Sequence, residues 1–209
     1  MELKEILAQK KILVFDLDGT IVKLKVDWNK LKSLLDKRFS HLYEETCEFD
    51  SISACLSFIV SKDDKEELLN FIDIIRDFEL KNIEATEVIP ESVYFIKHPE
   101  KFGITKDAKF SILSLNTRET IKRSLILAKI LDRFEIIIGR EDVRRWKPEP
   151  EGLIKIKRHF KVKDEEIVYF GDQQKDIITG KNANIIAFNI TKLKAFVRNS
   201  TTQSQLKLK

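Results

Sequence analysis

No apolar run in this chain approaches the ~20 residues that a membrane-spanning helix needs, which excludes a helical membrane protein. The opening residues, Met1-Glu2-Leu3-Lys4-Glu5, carry no signal-peptide pattern. Cysteine is nearly absent. Cys47 and Cys55 lack metal-ligand spacing, and two such thiols suit the reducing cytosol. His41, His98 and His159 stand in unrelated contexts, with no metal or triad spacing between them. A dominant charge sign is missing too. The 38 basic and 34 acidic residues leave a net +4, mixed along the chain, so neither nucleic acid nor membrane is expected as a partner. Six glycines and one methionine beside that charge content hint at a thermophile. There are no internal repeats, and 209 residues suffice for one full core plus an insert.

What the chain does have is Phe15-Asp16-Leu17-Asp18-Gly19-Thr20, directly after Lys11-Ile12-Leu13-Val14. The aliphatic run reads as a buried parallel strand. Residues two apart on an extended chain point the same way, so Asp16 and Asp18 converge just past a strand end. That is where open parallel sheets bind ligands. Two like charges so close need compensation by a cation or a shared proton. Gly19 allows the sharp turn that follows.

Further strand ends offer complementary groups. Lys109 to Leu115 is strand-like and ends near Ser114; Asn116-Thr117-Arg118-Glu119 then opens a helix, Asn116 and Glu119 having capping-box spacing. Free amides at that helix start suit an anion. Trp146-Lys147-Pro148-Glu149-Pro150 sets a lysine between two helical patterns. Ile167-Val168-Tyr169-Phe170 is closed by Gly171-Asp172 and then Asp176, which could cap a helix from Ile177.

From Val22 to about Ile89 there is neither glycine nor proline, and no strand-like punctuation. Trp28, Leu31, Leu34 and Leu35 mark one helical face, and Ile52, Cys55, Leu56, Ile59 and Val60 a second. Leu68, Leu69, Ile72, Ile75 and Phe78 mark a third, with Ser61 or Asp63 as its cap. Pro90 stops the pattern, and strands then alternate with helices, which predicts an α/β fold with a parallel sheet in three layers. Ser200 to Lys209 is polar and reads as a fraying tail.

These motifs, in this order, resemble the haloacid-dehalogenase-like hydrolases, and within them the phosphoglycolate-phosphatase-like proteins. The first family motif, DxDGT, stands as Asp16-Leu17-Asp18-Gly19-Thr20. The second, a Ser or Thr after a strand, fits Ser114, and the third, a Lys before Pro, fits Lys147. The fourth, GDxxxD, fits Gly171-Asp172-Gln173-Gln174-Lys175-Asp176. Gln173 departs from the Ser or Thr common there, and Asn184 stands where glycine is frequent; Asn tolerates the left-handed conformation that glycine serves.

The resemblance implies a three-layer α/β/α, Rossmann-like core of residues 1–21 and 90–209, with a small helical cap inserted at 22–89. It implies a magnesium-dependent phosphatase acting on a small phosphomonoester, phosphoglycolate-like esters included, through a phosphoaspartate. Asp16 would be the nucleophile and Asp18 the general acid and base. Ser114, Asn116 and Lys147 would hold the phosphate. Asp16, Asp172 and the carbonyl of Asp18 would ligate magnesium, with Asp176 orienting that shell. Lys23, Lys25 and Arg38 are candidates for meeting an anionic substrate. The alternatives are a phosphomutase of the same fold, in which a sugar hydroxyl replaces water, a carbon–halogen hydrolase, or a non-catalytic binding protein. Retention of Asp18 and Asp172 argues against the carbon–halogen hydrolase, and of Asp16, Asp18 and Lys147 against the binding protein.

Overall fold

The structure, a computed structural model, describes residues 2–45, 47 and 51–206. In chain order its main elements are α1 (Leu3–Ala8), β1 (Ile12–Phe15), β2 (Val22–Lys23), α2 (Trp28–Tyr43), α3 (Ile52–Ser61), α4 (Lys65–Leu80), β3 (Glu87–Val88) and α5 (Pro90–Lys97). There follow β4 (Lys109–Leu113), α6 (Arg118–Leu127), β5 (Phe134–Ile138), α7 (Glu151–Phe160), β6 (Ile167–Gly171), α8 (Gln174–Asn182), β7 (Ile186–Asn189) and α9 (Ile190–Leu206).

Five strands form one parallel sheet in the order β5-β4-β1-β6-β7. β1 is buried at all four residues because it is the central strand, covered on both faces. Its alternating side chains serve two cores: Leu13 and Phe15 pack with Phe110, Ile112, Val168 and Phe170 on one face. Ile12 and Val14 join Leu153, Ile156, Ile167 and Tyr169 on the other. Phe15 stacks on Phe170 with ring centroids 5.4 Å apart. Each such fully buried side chain contributes roughly 1.5–3 kcal/mol relative to exposure. The fold is thus the expected three-layer α/β architecture.

The topology creates the site. From β1 the chain goes to β4 and β5 on one side, then crosses back to β6 and β7 on the other. The C-terminal end of β1 therefore lies at the switch point, where the loops after β4 and β6 diverge and leave a crevice.

α2, α3 and α4 occupy the segment after β1, as the helical spacing predicts. Leu31, Leu35, Phe39, Ile52, Cys55, Leu56, Ile59, Phe71 and Ile75 bury one continuous face. Leu34 and Leu69 instead face outward, 43 % and 61 % exposed, since the stripe is narrower than their spacing suggests. Asp64, not Ser61 or Asp63, caps α4, accepting from the Glu67 amide at 3.1 Å.

Residues 22–89 are not free of strands: β2 and β3 pair antiparallel, Val22 opposite Val88, and clamp both ends of the helical segment. Two-residue strands so distant in sequence leave no periodic signal. Cys47 and Cys55 are joined as a disulfide rather than standing as two thiols, because α3 brings them within bonding reach. Asn184 has φ 57°, the left-handed backbone expected there. The polar tail from Ser200 continues α9 to Leu206, and residues 207–209 lie outside the described residues.

Candidate active site

Asp16 begins where β1 ends. Its amide donates to the Phe170 carbonyl at 2.8 Å, continuing the ladder, so its side chain is delivered into the crevice by the sheet itself. Asp18 lies in the turn that follows. There Gly19 has φ 77°, and its amide donates to the Val22 carbonyl at 2.7 Å. A Cβ on Gly19 would stand 2.3 Å from Asp172 Oδ2, so the loop passes that carboxylate only as glycine. The Leu24 amide donates to Asp18 Oδ1 at 2.9 Å, which ties this acid to the stem of the helical segment.

Lys147 joins the strand ends. Its Nζ lies 3.0 Å from Asp16 Oδ1, 2.6 Å from Asp176 Oδ1 and 3.0 Å from Tyr169 Oη, all four groups being buried. The Tyr169 hydroxyl also donates to Asp176 Oδ1 at 2.8 Å, and Gln173 N donates to its Oδ2 at 3.0 Å. Asp176 is thus the third residue of the first turn of α8 rather than its cap, with both oxygens engaged. Burial works against charge throughout. It pushes Asp16 above the ordinary carboxylate range despite Lys147. Asp176, desolvated as well, is held below that range by Lys147. Lys147 itself stays above its usual value, because Asp16 and Asp176 outweigh its desolvation.

Asp16, Asp172 and Asp176 each present an oxygen within 4.8 Å of the others. Burial, with Asp16 and Asp176 nearby, pushes Asp172 up to about 6, and its Oδ1 is buried without a partner among the described residues. Burial also raises Asp18 to about 6 against the pull of the Leu24 amide. An all-oxygen set with an orphaned carboxylate atom fits a hard divalent cation.

The loop after β4 supplies the opposite wall. Ser114 Oγ donates to Asn116 Oδ1 at 3.0 Å, and the Asn116 amide donates back to Ser114 Oγ at 3.3 Å. Asn116 is not the helix cap its spacing with Glu119 suggests; Thr117 holds that place, ahead of α6. The reason is a residue the sequence does not flag. Glu79, in the last turn of α4 and 1 % exposed, accepts from Asn116 Nδ2 at 2.9 Å. It also accepts from the Thr117 amide at 2.9 Å and the Thr117 hydroxyl at 2.8 Å. A glutamate from the helical segment thus takes the amide of the cap residue and orients the Asn116 side chain beside Ser114. Glu141 takes the Arg118 amide at 2.9 Å, so the amides expected to be free for an anion at this helix start are engaged within the chain. Burial raises the pKa of Glu79, while Arg140 and the Asn116 and Thr117 donors oppose the rise.

Glu79→Ala would leave Asn116 Nδ2 and the Thr117 amide buried and unpaired. A loss on the order of 2–4 kcal/mol is expected, read as a fall in Tm of roughly 5–15 °C for a chain of this size. Glu79→Gln, which keeps one acceptor, should lose less. Equal melting of all three proteins would show that the contact is not stabilising.

Asp16, Asp18, Ser114, Asn116, Arg140, Lys147 and Lys175 line the sheet side of a cleft of about 490 Å³. Trp28, Lys32, Ser51, Ile52 and Ser53 approach from the helical segment. Of the expected substrate-facing cations, Arg38 is engaged by Glu67 and Lys25 by Glu87, while Lys23 is exposed and outside the cleft lining. A slightly larger hollow of about 540 Å³ lies at the other ends of β4 and β5, around Lys106, Lys109 and Glu135, remote from these acids.

The chain matches the family described as haloacid dehalogenase-like hydrolase over residues 13–190. The pyrophosphatase PpaX of Bacillus mycoides (strain KBAB4) is 28% identical over 176 residues, 82% of this chain and 79% of the relative. A solved structure from Bacteroides fragilis, described as a haloacid dehalogenase-like hydrolase, aligns with TM-score 0.59 and 24% identity over 85% of this chain and 86% of its own. CbbY from Rhodobacter sphaeroides, solved in complex with phosphate, aligns with TM-score 0.56 and 14% identity over 86% and 85%. These two structures share the fold.

Proposed function

The chain belongs to the haloacid dehalogenase-like hydrolase family, and on that premise we propose that it is a magnesium-dependent phosphatase of small phosphomonoesters, with Asp16 as nucleophile. One observation supports this reading most: a buried lysine bridges Asp16 and Asp176 in the cleft that also holds Asp18 and Ser114.

In the first step a carboxylate oxygen of Asp16 attacks phosphorus while the ester oxygen leaves, taking a proton from Asp18. In the second, Asp18 takes a proton from a water that attacks the phosphoaspartate, releasing phosphate and restoring Asp16. Lys147 sets the direction of the Asp16 carboxylate and offsets charge on the phosphoryl oxygens. The Ser114 hydroxyl, now donating to Asn116, turns to a phosphoryl oxygen, and Asn116 supports that loop. Asp16, Asp172 and the Asp18 carbonyl would hold magnesium, with Asp176 behind them. When bound, the ion supplies positive charge to the phosphoryl oxygens and to the crowded carboxylates. Residues 22–89 act as the cap over a core of 1–21 and 90–209, excluding water from the acyl phosphate.

Phosphoglycolate-like esters are the first substrates to try, and the relative named pyrophosphatase adds inorganic pyrophosphate. A cytoplasmic location belongs to the same proposal, as the compartment of small phosphorylated compounds. The Cys47–Cys55 disulfide withdraws the support that two free thiols would lend it.

The test is phosphate release over a panel of phosphoesters and pyrophosphate, with magnesium, with excess chelator, and with calcium. Release is expected with magnesium alone, lost in chelator and regained on adding magnesium back. Calcium should inhibit, because its larger, looser shell misplaces the attacking oxygen. Full activity in excess chelator would defeat this site design.

A further inference from the structure

Arg140 follows β5 in the turn Gly139-Arg140-Glu141 and is 3 % exposed. Its backbone is fixed from two sides: its amide donates to the Asn116 carbonyl at 2.9 Å, and its carbonyl accepts from Trp146 Nε1 at 2.9 Å. Its side chain is not so provided for. Nε and Nη1 are buried without an acceptor among the described residues, yet Arg140 lines the same cleft as Asp16, Ser114 and Lys147.

A buried guanidinium with unmade hydrogen bonds is strongly unfavourable, and native structures seldom keep one without a purpose. Glu79 explains only part of it. Its charge and that of Glu141 act on Arg140 through space, but the Glu79 oxygens already accept from Asn116 and Thr117, and those of Glu141 from the Arg118 amide. Lys147 cannot serve a second anion either, being engaged by Asp16 and Asp176. Lys32 and Lys175 line the cleft as well and add positive potential around Arg140.

We propose that Arg140 forms a second anion subsite in this cleft, beside the phosphoryl position, receiving a carboxylate or phosphoryl group on the leaving portion of the substrate. The proposal rests on the phosphatase reading for what occupies the first position. The guanidinium offers either anion charge-assisted hydrogen bonds from donors it now leaves unmade, which a neutral alcohol cannot replace. A substrate with a neutral leaving group leaves those donors unpaired, so the site selects against it. Arg140 touches no reacting atom in this arrangement and acts on specificity.

Binding measured by calorimetry in magnesium buffer separates the possibilities without turnover. The probes are methylphosphonate, with one anionic group, phosphonoacetate, with an added carboxylate, and methylenediphosphonate, with an added phosphonyl group. The intact protein should bind at least one two-anion probe about tenfold or more tightly than methylphosphonate, the better probe identifying the second group. Arg140→Met should lose that preference and keep methylphosphonate affinity within about twofold. Arg140→Lys, which retains charge but not the fork, should lose several-fold on the two-anion probe alone, and it decides the matter if the Met variant does not fold.

Equal loss on all three probes would overturn the subsite in favour of a structural role, as would no two-anion preference in the intact protein. Phosphate release from esters without that preference would sink the subsite and leave the phosphatase reading standing. Arg140-dependent binding without release from any ester would support the subsite and sink the hydrolytic reading.

Discussion

Asp16→Asn is expected to bring phosphate release to background, a fall on the order of 10⁴-fold or more, while the protein stays folded. The substitution keeps the side-chain shape and an oxygen that can still accept from Lys147 Nζ, now 3.0 Å away. It removes the charge that attacks phosphorus. The amide of residue 16 still donates to the Phe170 carbonyl, so the end of β1 is unaffected. One fewer carboxylate also relieves the repulsion that raises Asp172 and Asp18. The melting temperature should therefore be unchanged or slightly higher, as at other sites where function holds like charges together. Thermal melts and a phosphate-release assay on the same preparation check both halves. Appreciable turnover in a fully folded variant would remove Asp16 from the mechanism.

Asp18→Asn should separate the two chemical steps. The asparagine can still accept the Leu24 amide hydrogen bond, so the turn after β1 and the entry to the helical segment should hold. What it cannot do is give a proton to the leaving oxygen or take one from water. Alkyl phosphates, whose poor leaving groups need that proton, should slow by roughly 10²–10⁴-fold. Aryl phosphates with acidic leaving groups need it less, so their first step should be relatively spared. Breakdown of the phosphoaspartate stays slow for both. A burst of phenol release followed by stalled turnover is the expected course. Mass spectrometry of quenched protein should then find phosphate on Asp16. Equal losses on both substrate classes, with no trapped intermediate, would mean that Asp18 serves the local structure instead.

The two acids were legible because their signals are local. A buried central strand must be apolar at every residue, and Ile12 to Phe15 announce that without reference to the rest of the chain. The acids that end it, the serine after β4 and the Gly171-Asp172 step at the end of β6 are then placed by topology, because parallel strands deliver their C-terminal ends to one edge. The helical segment was equally plain from its spacing, although its clamp, β2 with β3, was not. A pair of two-residue strands holds no pattern that a window can detect. Asn116 misled for a related reason. Its spacing to Glu119 is a genuine capping signature, but tertiary contact with Glu79 outcompeted it.

Glu79, Arg140 and Tyr169 show what lay beyond that reading. Glu79 sits among the charges of a surface-seeming helix, and Arg140 in the charged run Arg140-Glu141-Asp142, where solvated side chains are the ordinary case. Tyr169 looks like one more apolar strand residue, yet its hydroxyl completes the contacts of Lys147 and Asp176. The sequence by itself determined the α/β class, the strand ends and the order of the four motifs, because hydrophobic period and strand termination are properties of neighbours along the chain. Only the tertiary structure decided which charges are buried, since a charge leaves water only when distant segments close over it. Glu79 meets residues 37 and 38 positions further on, and Lys147 reaches back 131. No local pattern records such meetings, and they decide which buried donors at the cleft, Arg140 Nε and Nη1, lack an acceptor among the described residues.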